Sequence, residues 1–329
     1  MQFRTPIHVD SCPFRINHRQ PILTIGSCFS EHIAHLLQTH RFRVRANPFG
    51  VLYNPLSIHS AVDIMLQQKL FSEDDLVFNQ DEWHSFYHHS SFSHHEPRQA
   101  VDTINQNIAE SHAFLQSTDL VICTLGTAFV YFLKTSGQTV ANCHKLPPDR
   151  FDRRMLSVED ISQALTNIIQ NLRRIRPELK FIFTVSPIRH LKDGLVHNQQ
   201  SKATLILGVH EAIKNRNLCY YFPSYEIMMD DLRDYRFYED NLTHPNNMAV
   251  EYIWKKFAQN SIDNETQQTI KDLKRLHQAK LHRPRNIKSP AHQQFLKKQI
   301  HYLDYLRDKY RYLDFQNDYQ YFKNQLNED

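Results

Sequence analysis

The sequence predicts an α/β fold built on a parallel sheet, and two observations lead to this prediction. Short apolar runs typical of buried strands alternate along the chain with longer segments in which apolar residues recur every three to four positions. Strands that are separated by helices pair in parallel through crossover connections. The strand-like runs cover residues 21–26, 120–125, 180–185 and 218–222, and the helical patterns cover about 56–69, 101–117, 157–174, 201–215 and 246–259.

The elements follow one another in a simple order. The first run, PILTIG, passes directly into a helical pattern, with Phe29, Ile33 and Leu37 on one face. The helix over 201–215 is expected to begin at Ser201, because a serine before an apolar periodic segment is a favoured N-cap.

The chain changes character at about residue 263. Two helical patterns, 266–281 and 291–313, lie on either side of HRPRNIKSP, and Pro290 suits the first turn of the second helix. We therefore expect one domain over residues 1–262 and a helical extension over 263–329. Basic residues are frequent in the extension, and a solvated helix face is the favoured interpretation. These helices could cover a pocket, form a homo-oligomer or pack on the sheet.

Composition excludes several classes of function. The chain has 329 residues, of which 41% are hydrophobic and 22% charged, and its net charge of +4 does not call for a nucleic-acid partner. The N-terminal segment lacks the apolar core of a signal peptide, and no run is long enough to span a membrane, so a cytoplasmic protein is expected. The five cysteines form no CxxC pair, and Cys123 and Cys219 are expected in the core.

Glycine is scarce, at 6 residues in the chain, so each glycine is expected where a side chain would not fit. Gly26 and Gly126 close two strand-like runs, and Gly50 lies in the loop NPFGVLYNP. Function in open parallel sheets collects at the carboxyl ends of the strands. Gly26 and Gly126, with Thr127, therefore mark one candidate edge of the sheet.

The stretch GSCFS places two nucleophile candidates, Ser27 and Cys28, between a strand and a helix. A side chain on such a turn is exposed next to helix N-terminal amides, which lower a thiol pKa and stabilise an oxyanion. The alternative is structural: Ser27 caps the helix and Cys28 is a small core residue.

A candidate base lies in YRFYEDNLTHP, where His244 follows acidic residues and precedes Pro245. An acid a few residues before a histidine on one loop can orient the imidazole and stabilise its cation. A loop histidine without a chemical role is the alternative.

Together these motifs resemble the SGNH/GDSL hydrolase superfamily and, more closely, the bacterial GSCFA-domain family. The resemblance rests on GSCFS (26–30), NPFGVLYNPLSI (47–58), TLGTAFVY (124–131), NCHK (142–145), TVSPIRH (184–190), YRFYEDNLTHP (235–245) and HRPRNIKSPAHQQFL (282–296). It implies an SGNH-like, flavodoxin-like three-layer α/β/α domain with a parallel sheet and a C-terminal helical extension. It does not imply a substrate.

The resemblance also implies roles for particular residues. Its Gly-Asp-Ser register falls on Cys28, whereas its serine chemistry favours Ser27, and we lean toward Cys28. Asp240 or Asn241 would orient His244, although the superfamily's Asp would fall at position 241, where this chain has Asn.

The oxyanion hole and the substrate site complete this assignment. The resemblance gives Gly50 as an oxyanion donor, and Asn142 or His144 would replace an amide side chain that the chain lacks after Gly126. Polar residues after the third strand-like run could bind a substrate at the pocket mouth. These are Arg189, His190, Asn198 and Lys202.

The functional hypothesis is an esterase or O-acyltransferase that forms a covalent acyl-enzyme, without cofactor or metal, on small-molecule or carbohydrate acyl esters. The carbohydrate part rests on superfamily analogy alone. A noncatalytic binding or scaffold protein with a degenerate site is the main alternative. Metal-dependent hydrolysis by the histidine-rich segment WHSFYHHSSFSHH is a third.

Overall fold

The computed structural model describes residues 5–326. The strands are β1 (Ile22–Gly26), β2 (Val44–Ala46), β3 (Val77–Asn79), β4 (Glu82–His84), β5 (Leu120–Leu125), β6 (Phe129–Leu133), β7 (Thr139–Val140), β8 (Phe151–Met155), β9 (Lys180–Val185) and β10 (Cys219–Tyr221). The helices are α1 (Cys28–Thr39), α2 (Pro55–Gln67), α3 (Pro97–Leu115), α4 (Val158–Ile175), α5 (Gly194–Ile213), α6 (Ser224–Glu226), α7 (Asn247–Ser261), α8 (Asn264–Leu281), α9 (Pro290–Lys309) and α10 (Gln316–Lys323).

The central sheet confirms the predicted fold class. Its five strands are parallel and lie in the order β2-β1-β5-β9-β10, which is the flavodoxin-like order. In that order the chain reverses direction across the sheet between β1 and β5, and the crevice at their carboxyl ends is where such folds bind ligands. GSCFS follows β1, and Gly126 follows β5.

Helices cover both faces of the sheet, because alternate side chains of each buried strand point to opposite sides. Leu23 and Ile25 of β1 join one core with apolar residues of α2, α3, α4 and α5. Ile22 joins a second core with residues of α1 and α7. These three layers are those that the family resemblance implies, and Cys123 and Cys219 are buried as expected.

Two smaller sheets lie outside the central one. Strands β3 and β4 form an antiparallel hairpin, and β6 pairs antiparallel with β7 and β8. The sequence reasoning did not predict these strands or β2, because their alternation of apolar and polar residues covers only two to five positions each.

The N-cap prediction for Ser201 is wrong. Helix α5 begins at Gly194, about two turns earlier, and Ser201 lies buried in its interior. Its hydroxyl accepts a hydrogen bond from the backbone N–H of Ala128 at 2.7 Å. The first two turns of α5 contain a run of polar residues, HNQQSK (197–202), which hides their helical periodicity.

The C-terminal helices have an apolar core of their own. Leu273 and Leu276 of α8 pack with Leu296 and Leu303 of α9 and with residues that follow. Asp318 accepts hydrogen bonds from Arg41, just after α1, and from Lys280. The division of the chain at residue 263 stays a prediction. Within residues 5–326, no helix has the length and hydropathy needed to cross a membrane.

Candidate active site at the carboxyl edge of the sheet

The turn between β1 and α1 depends on Gly26. Its φ of +139° is one that side-chain-bearing residues rarely adopt, and a Cβ placed there would lie 2.0 Å from the carbonyl oxygen of Thr124 on β5. The Gly26 N–H donates to Oδ1 of Asn47 at 3.0 Å, and the Ser27 N–H donates to the Thr124 carbonyl at 2.9 Å. These contacts hold the first residue of α1, Cys28, at the crevice.

The two neighbouring nucleophile candidates differ in exposure. Ser27 occupies the N-cap position of α1 but is fully buried, at 0% exposure, and its side chain makes no capping hydrogen bond. The buried Ser27 hydroxyl has no hydrogen-bond partner in the described part of the chain. Cys28 is only partly buried. An attacking side chain must reach its substrate, so the difference in exposure favours Cys28.

Opposing influences act on the Cys28 thiol. Burial raises its pKa, and the carboxylate of Glu31 one helical turn away raises it further. The backbone N–H groups of Cys28 and Phe29 and the ammonium of Lys202 act in the opposite direction. The raised pKa means that the resting residue is a thiol, so thiolate formation needs a base.

Lys202 lies at the floor of the crevice. Its side chain is fully buried, and Nζ donates to the carbonyl of Gly126 at 2.7 Å and to that of Ser186 at 2.8 Å. These carbonyls follow β5 and β9, so one side chain of α5 joins two strand ends. Burial lowers the pKa of Lys202 to about 7, and the charge of Cys28 opposes this shift.

His190 lies against the same strand end. Its ring meets the ring of Tyr53 edge-on, with centroids 5.3 Å apart, and its backbone N–H donates to Oδ1 of Asn198 at 2.9 Å. The Tyr53 carbonyl accepts from the Gly126 N–H at 2.7 Å. Burial lowers the pKa of His190 to about 3, with smaller contributions from the charges of Lys202 and His244.

Arg189 fixes the loop that carries His244. Its backbone N–H donates to the Thr243 carbonyl at 3.1 Å, and its guanidinium donates to the Leu242 carbonyl at 2.6 Å. The guanidinium also lies 4.5 Å from the centre of the Tyr238 ring. Arg189 and Asn198, predicted to bind substrate, therefore both make backbone-positioning contacts in this structure.

The His244 ring and backbone have different partners. Oδ1 of Asn241 accepts from the His244 backbone N–H at 2.9 Å and from both the N–H and the hydroxyl of Thr243. The ring Nδ1 lies 3.0 Å from the Thr243 hydroxyl. Asp240 is exposed, and within residues 5–326 no hydrogen bond joins it to the ring. Asn241 thus shapes the loop, and Thr243 is the side chain that contacts the ring.

The predicted oxyanion donors are engaged elsewhere. The Gly50 N–H donates to the Asn47 carbonyl at 2.8 Å, so it is not free for an oxyanion in this conformation. Oδ1 of Asn142 accepts from the His144 N–H at 3.0 Å. His144 is buried, stacks on His84 with centroids 4.3 Å apart, and bonds the Ser85 carbonyl through Nε2 at 2.9 Å.

Comparison with known proteins assigns the chain to a family. The model of the GSCFA family matches residues 21–257, and that of the GSCFA domain protein C-terminal domain matches residues 273–328. The chain belongs to the GSCFA family. The comparison with curated proteins gives no match. Among solved structures, the chain is similar to an acetyl xylan esterase (Est2A) from the rumen bacterium Butyrivibrio proteoclasticus, at 11% identity and a TM-score of 0.36. That match covers 74% of this chain and 63% of the esterase, less than two thirds of its length.

Three residues of this GSCFA site were missed by the sequence reasoning. Asn47 holds the Gly26 amide, Tyr53 holds the amide of Gly126 and contacts His190, and Thr243 contacts the His244 ring. Asn47 and Tyr53 both lie in the motif NPFGVLYNP (47–55), and this motif is the sequence feature that could have indicated them. Their contacts link segments far apart in the chain, so single-sequence patterns do not specify them.

The histidine-rich segment of this GSCFA protein is partly buried, with His84 and His88 in the interior and His95 exposed. His88 is buried and stacks on Phe49 with centroids 4.4 Å apart, and its Nδ1 lies 2.9 Å from the Ser85 hydroxyl. Across the described ranges, no group of three or more His, Cys, Asp or Glu side chains is arranged to hold a metal ion.

Proposed function

We propose that this GSCFA protein is an ester hydrolase or O-acyltransferase in which Cys28 forms a covalent acyl-enzyme. The observation that carries the proposal is the partly exposed Cys28 thiol at the first residue of α1, in the crevice beside β5. The backbone N–H groups of Cys28 and Phe29 act on its sulphur. A thiolate so placed is a strong nucleophile next to fixed hydrogen-bond donors.

In the first half-reaction, His244 takes the proton from the Cys28 thiol, and Sγ forms a bond to the carbonyl carbon of the ester. The carbonyl oxygen becomes an oxyanion, which the Cys28 and Phe29 amides stabilise. When the oxyanion collapses, the carbon–oxygen bond of the ester breaks, and His244 returns the proton to the departing alcohol.

In the second half-reaction, water or an acceptor hydroxyl attacks the thioester. His244 removes the proton of the attacking oxygen, the carbon–sulphur bond breaks, and Cys28 regains a proton. Water as acceptor gives hydrolysis, and a second alcohol gives acyl transfer. Acyl groups on carbohydrates are the proposed substrates, on superfamily analogy.

Roles for the surrounding residues follow from their contacts. Lys202 places positive charge beside the thiolate and closes the floor of the crevice, and Asn241 with Thr243 orients His244. An acid on the His244 ring is not required in a cysteine–histidine pair, because the thiolate itself carries the balancing charge. Asn142 and His144 stay predicted oxyanion donors, and Asp240 a predicted orienter.

The test combines labelling with turnover. The wild-type protein is treated briefly with iodoacetamide and, separately, with a fluorophosphonate, and the labelled peptide is identified by mass spectrometry. Fast labelling at Cys28 that depends on His244 is expected, with Cys143 as the internal reference. Cys28→Ala should abolish hydrolysis of p-nitrophenyl acetate above the buffer rate, whereas Ser27→Ala should retain it. Labelling of Cys28 no faster than Cys143 contradicts the proposal.

A noncatalytic binding protein is the second candidate, and two observations favour it. The Gly50 amide is bonded within its own turn, and the His244 ring contacts a hydroxyl rather than a carboxylate. This candidate predicts slow labelling of Cys28 together with no effect of His244→Ala on it. The labelling experiment therefore separates the two functions before any substrate is known.

A further inference from the structure

A groove lies at the opposite end of α1 from Cys28, between α1, α7 and α8. We call it the Trp254 groove. Its volume is about 460 Å³, within the range of about 300–1,000 Å³ typical of small-molecule sites. Leu36, Trp254, Ile270 and Leu273 give it an apolar lining. Trp254 and Leu273 are themselves largely buried, at 8% and 4% exposure, so they form a firm floor.

The rim of the Trp254 groove is positively charged. Lys255, Lys271 and Lys274 line it, and in the described part of the chain none of the three forms an ion pair with a carboxylate. Glu251 is the acidic side chain on the described lining. Three lysines against one glutamate leave a net positive charge beside an apolar floor.

His40 lies beside these lysines at the floor of the groove. Its ring stacks on that of Trp254, with centroids 5.5 Å apart. Burial lowers the pKa of His40 to about 4, and the charges of Lys274 and His277 contribute. The imidazole is therefore neutral at physiological pH, and it adds a flat surface to the floor rather than a further charge.

We propose that the Trp254 groove binds a medium-chain carboxylate. The hydrocarbon chain would lie against Trp254 and Leu273, where burial of apolar area is favourable. The carboxylate would lie toward Lys271 and Lys274, one helical turn apart on α8, neither of which forms an ion pair in the described part of the chain. The groove is separate from the crevice that holds Cys28, so this inference does not depend on the proposed function.

Trp254 supplies the readout. The chain contains 2 tryptophans, so the variant Trp83→Phe leaves the emission of Trp254 alone. Full-length Trp83→Phe protein is titrated with octanoate and, in parallel, with octanamide, which has the same chain and no charge. A saturable change in emission with octanoate is expected. Octanamide should bind at least about fivefold more weakly than octanoate.

A matched pair of variants tests the rim. Lys271→Gln with Lys274→Gln should weaken octanoate binding about fivefold, since two exposed charges contribute modestly. Lys297→Gln with Lys298→Gln removes the same charge from exposed positions of α9 away from the groove and should change nothing. An unchanged emission with octanoate, equal binding of octanamide, or equal weakening by both pairs overturns the proposal. Thermal unfolding of each variant confirms that it is folded.

Discussion

Replacing Gly26 by alanine tests how the candidate nucleophile is held. The new Cβ would lie 2.0 Å from the Thr124 carbonyl oxygen, a backbone atom that cannot rotate away. Either the β1–β5 edge separates or the turn moves. Both movements would lengthen or break the hydrogen bonds from Gly26 to Asn47 and from Ser27 to Thr124, which are 3.0 and 2.9 Å long.

The magnitude follows from these contacts. A residue held in a backbone conformation that it rarely adopts costs about 1–3 kcal/mol. Loss of two buried hydrogen bonds adds about 1 kcal/mol each. Gly26→Ala should therefore lower the free energy of unfolding by about 3–5 kcal/mol. In a protein of 329 residues that corresponds to a fall in Tm of about 4–7 °C.

Gly137 provides the matched control. It also has a positive φ, +69°, but a Cβ there would meet nothing within 4 Å. Gly137→Ala should thus show the backbone term alone, about 1–2 kcal/mol. The assay is thermal unfolding by circular dichroism, with iodoacetamide labelling of Cys28 as a second readout. Equal falls in Tm for the two variants would refute the argument that the β1–β5 contact requires glycine.

Three further predictions concern the C-terminal helices, the His244 loop and acid stability. Asp318→Asn should lower the free energy of unfolding by about 2 kcal/mol in urea denaturation, because Arg41 and Lys280 lose the negative charge with which both are paired. The exposed control Asp152→Asn should change it by less than about 0.5 kcal/mol. Asn241→Ala should slow labelling of Cys28 about tenfold, because the His244 loop loses the contacts that hold it. Asn241→Asp keeps the acceptor oxygen and should restore the labelling rate. A rate that Asn241→Asp does not restore would count against the positioning role of Asn241. Burial lowers the pKa of His88 to about 3, so the unfolded state takes up a proton that the folded state does not, and stability is lost as pH falls from about 6.5 toward 3. His88→Phe should reduce that slope by about 1.4 kcal/mol per pH unit, and an unchanged slope in pH-dependent urea unfolding would contradict it.

The central sheet could be predicted because its strands are buried on both faces. Runs such as ILTIG and LVICTL are almost wholly apolar, and the helices between them carry clear periodicity. The strands of the small sheets could not be predicted, because they are short and partly exposed. The start of α5 was also missed, since its first turns are polar.

At the candidate site, the sequence pattern indicated which segments of the chain meet. It did not indicate which side chains contact one another there. The prediction that GSCFS and the residues after Gly126 share one edge follows from parallel strands ending together. The choice between Ser27 and Cys28 could not be made from the amino-acid sequence, because it depends on which of the two side chains is buried at the start of α1. The role of Asn241 also depends on three-dimensional geometry, since its carbonyl bonds a backbone amide and not the imidazole.

Lys202 has a consequence for how the crevice keeps its shape. Gly126 and Ser186 are the first residues after β5 and β9, so their carbonyls lie beyond the hydrogen-bonded pairs of the sheet. One ammonium from α5 binds both carbonyls, so it acts as a brace between the two strand ends, in addition to the hydrogen bonds that pair β5 with β9. The helix supplying the brace begins just after His190, whose backbone is held by Asn198 of that helix. Movement of α5 would therefore widen the crevice and displace the adjoining loop in a single motion.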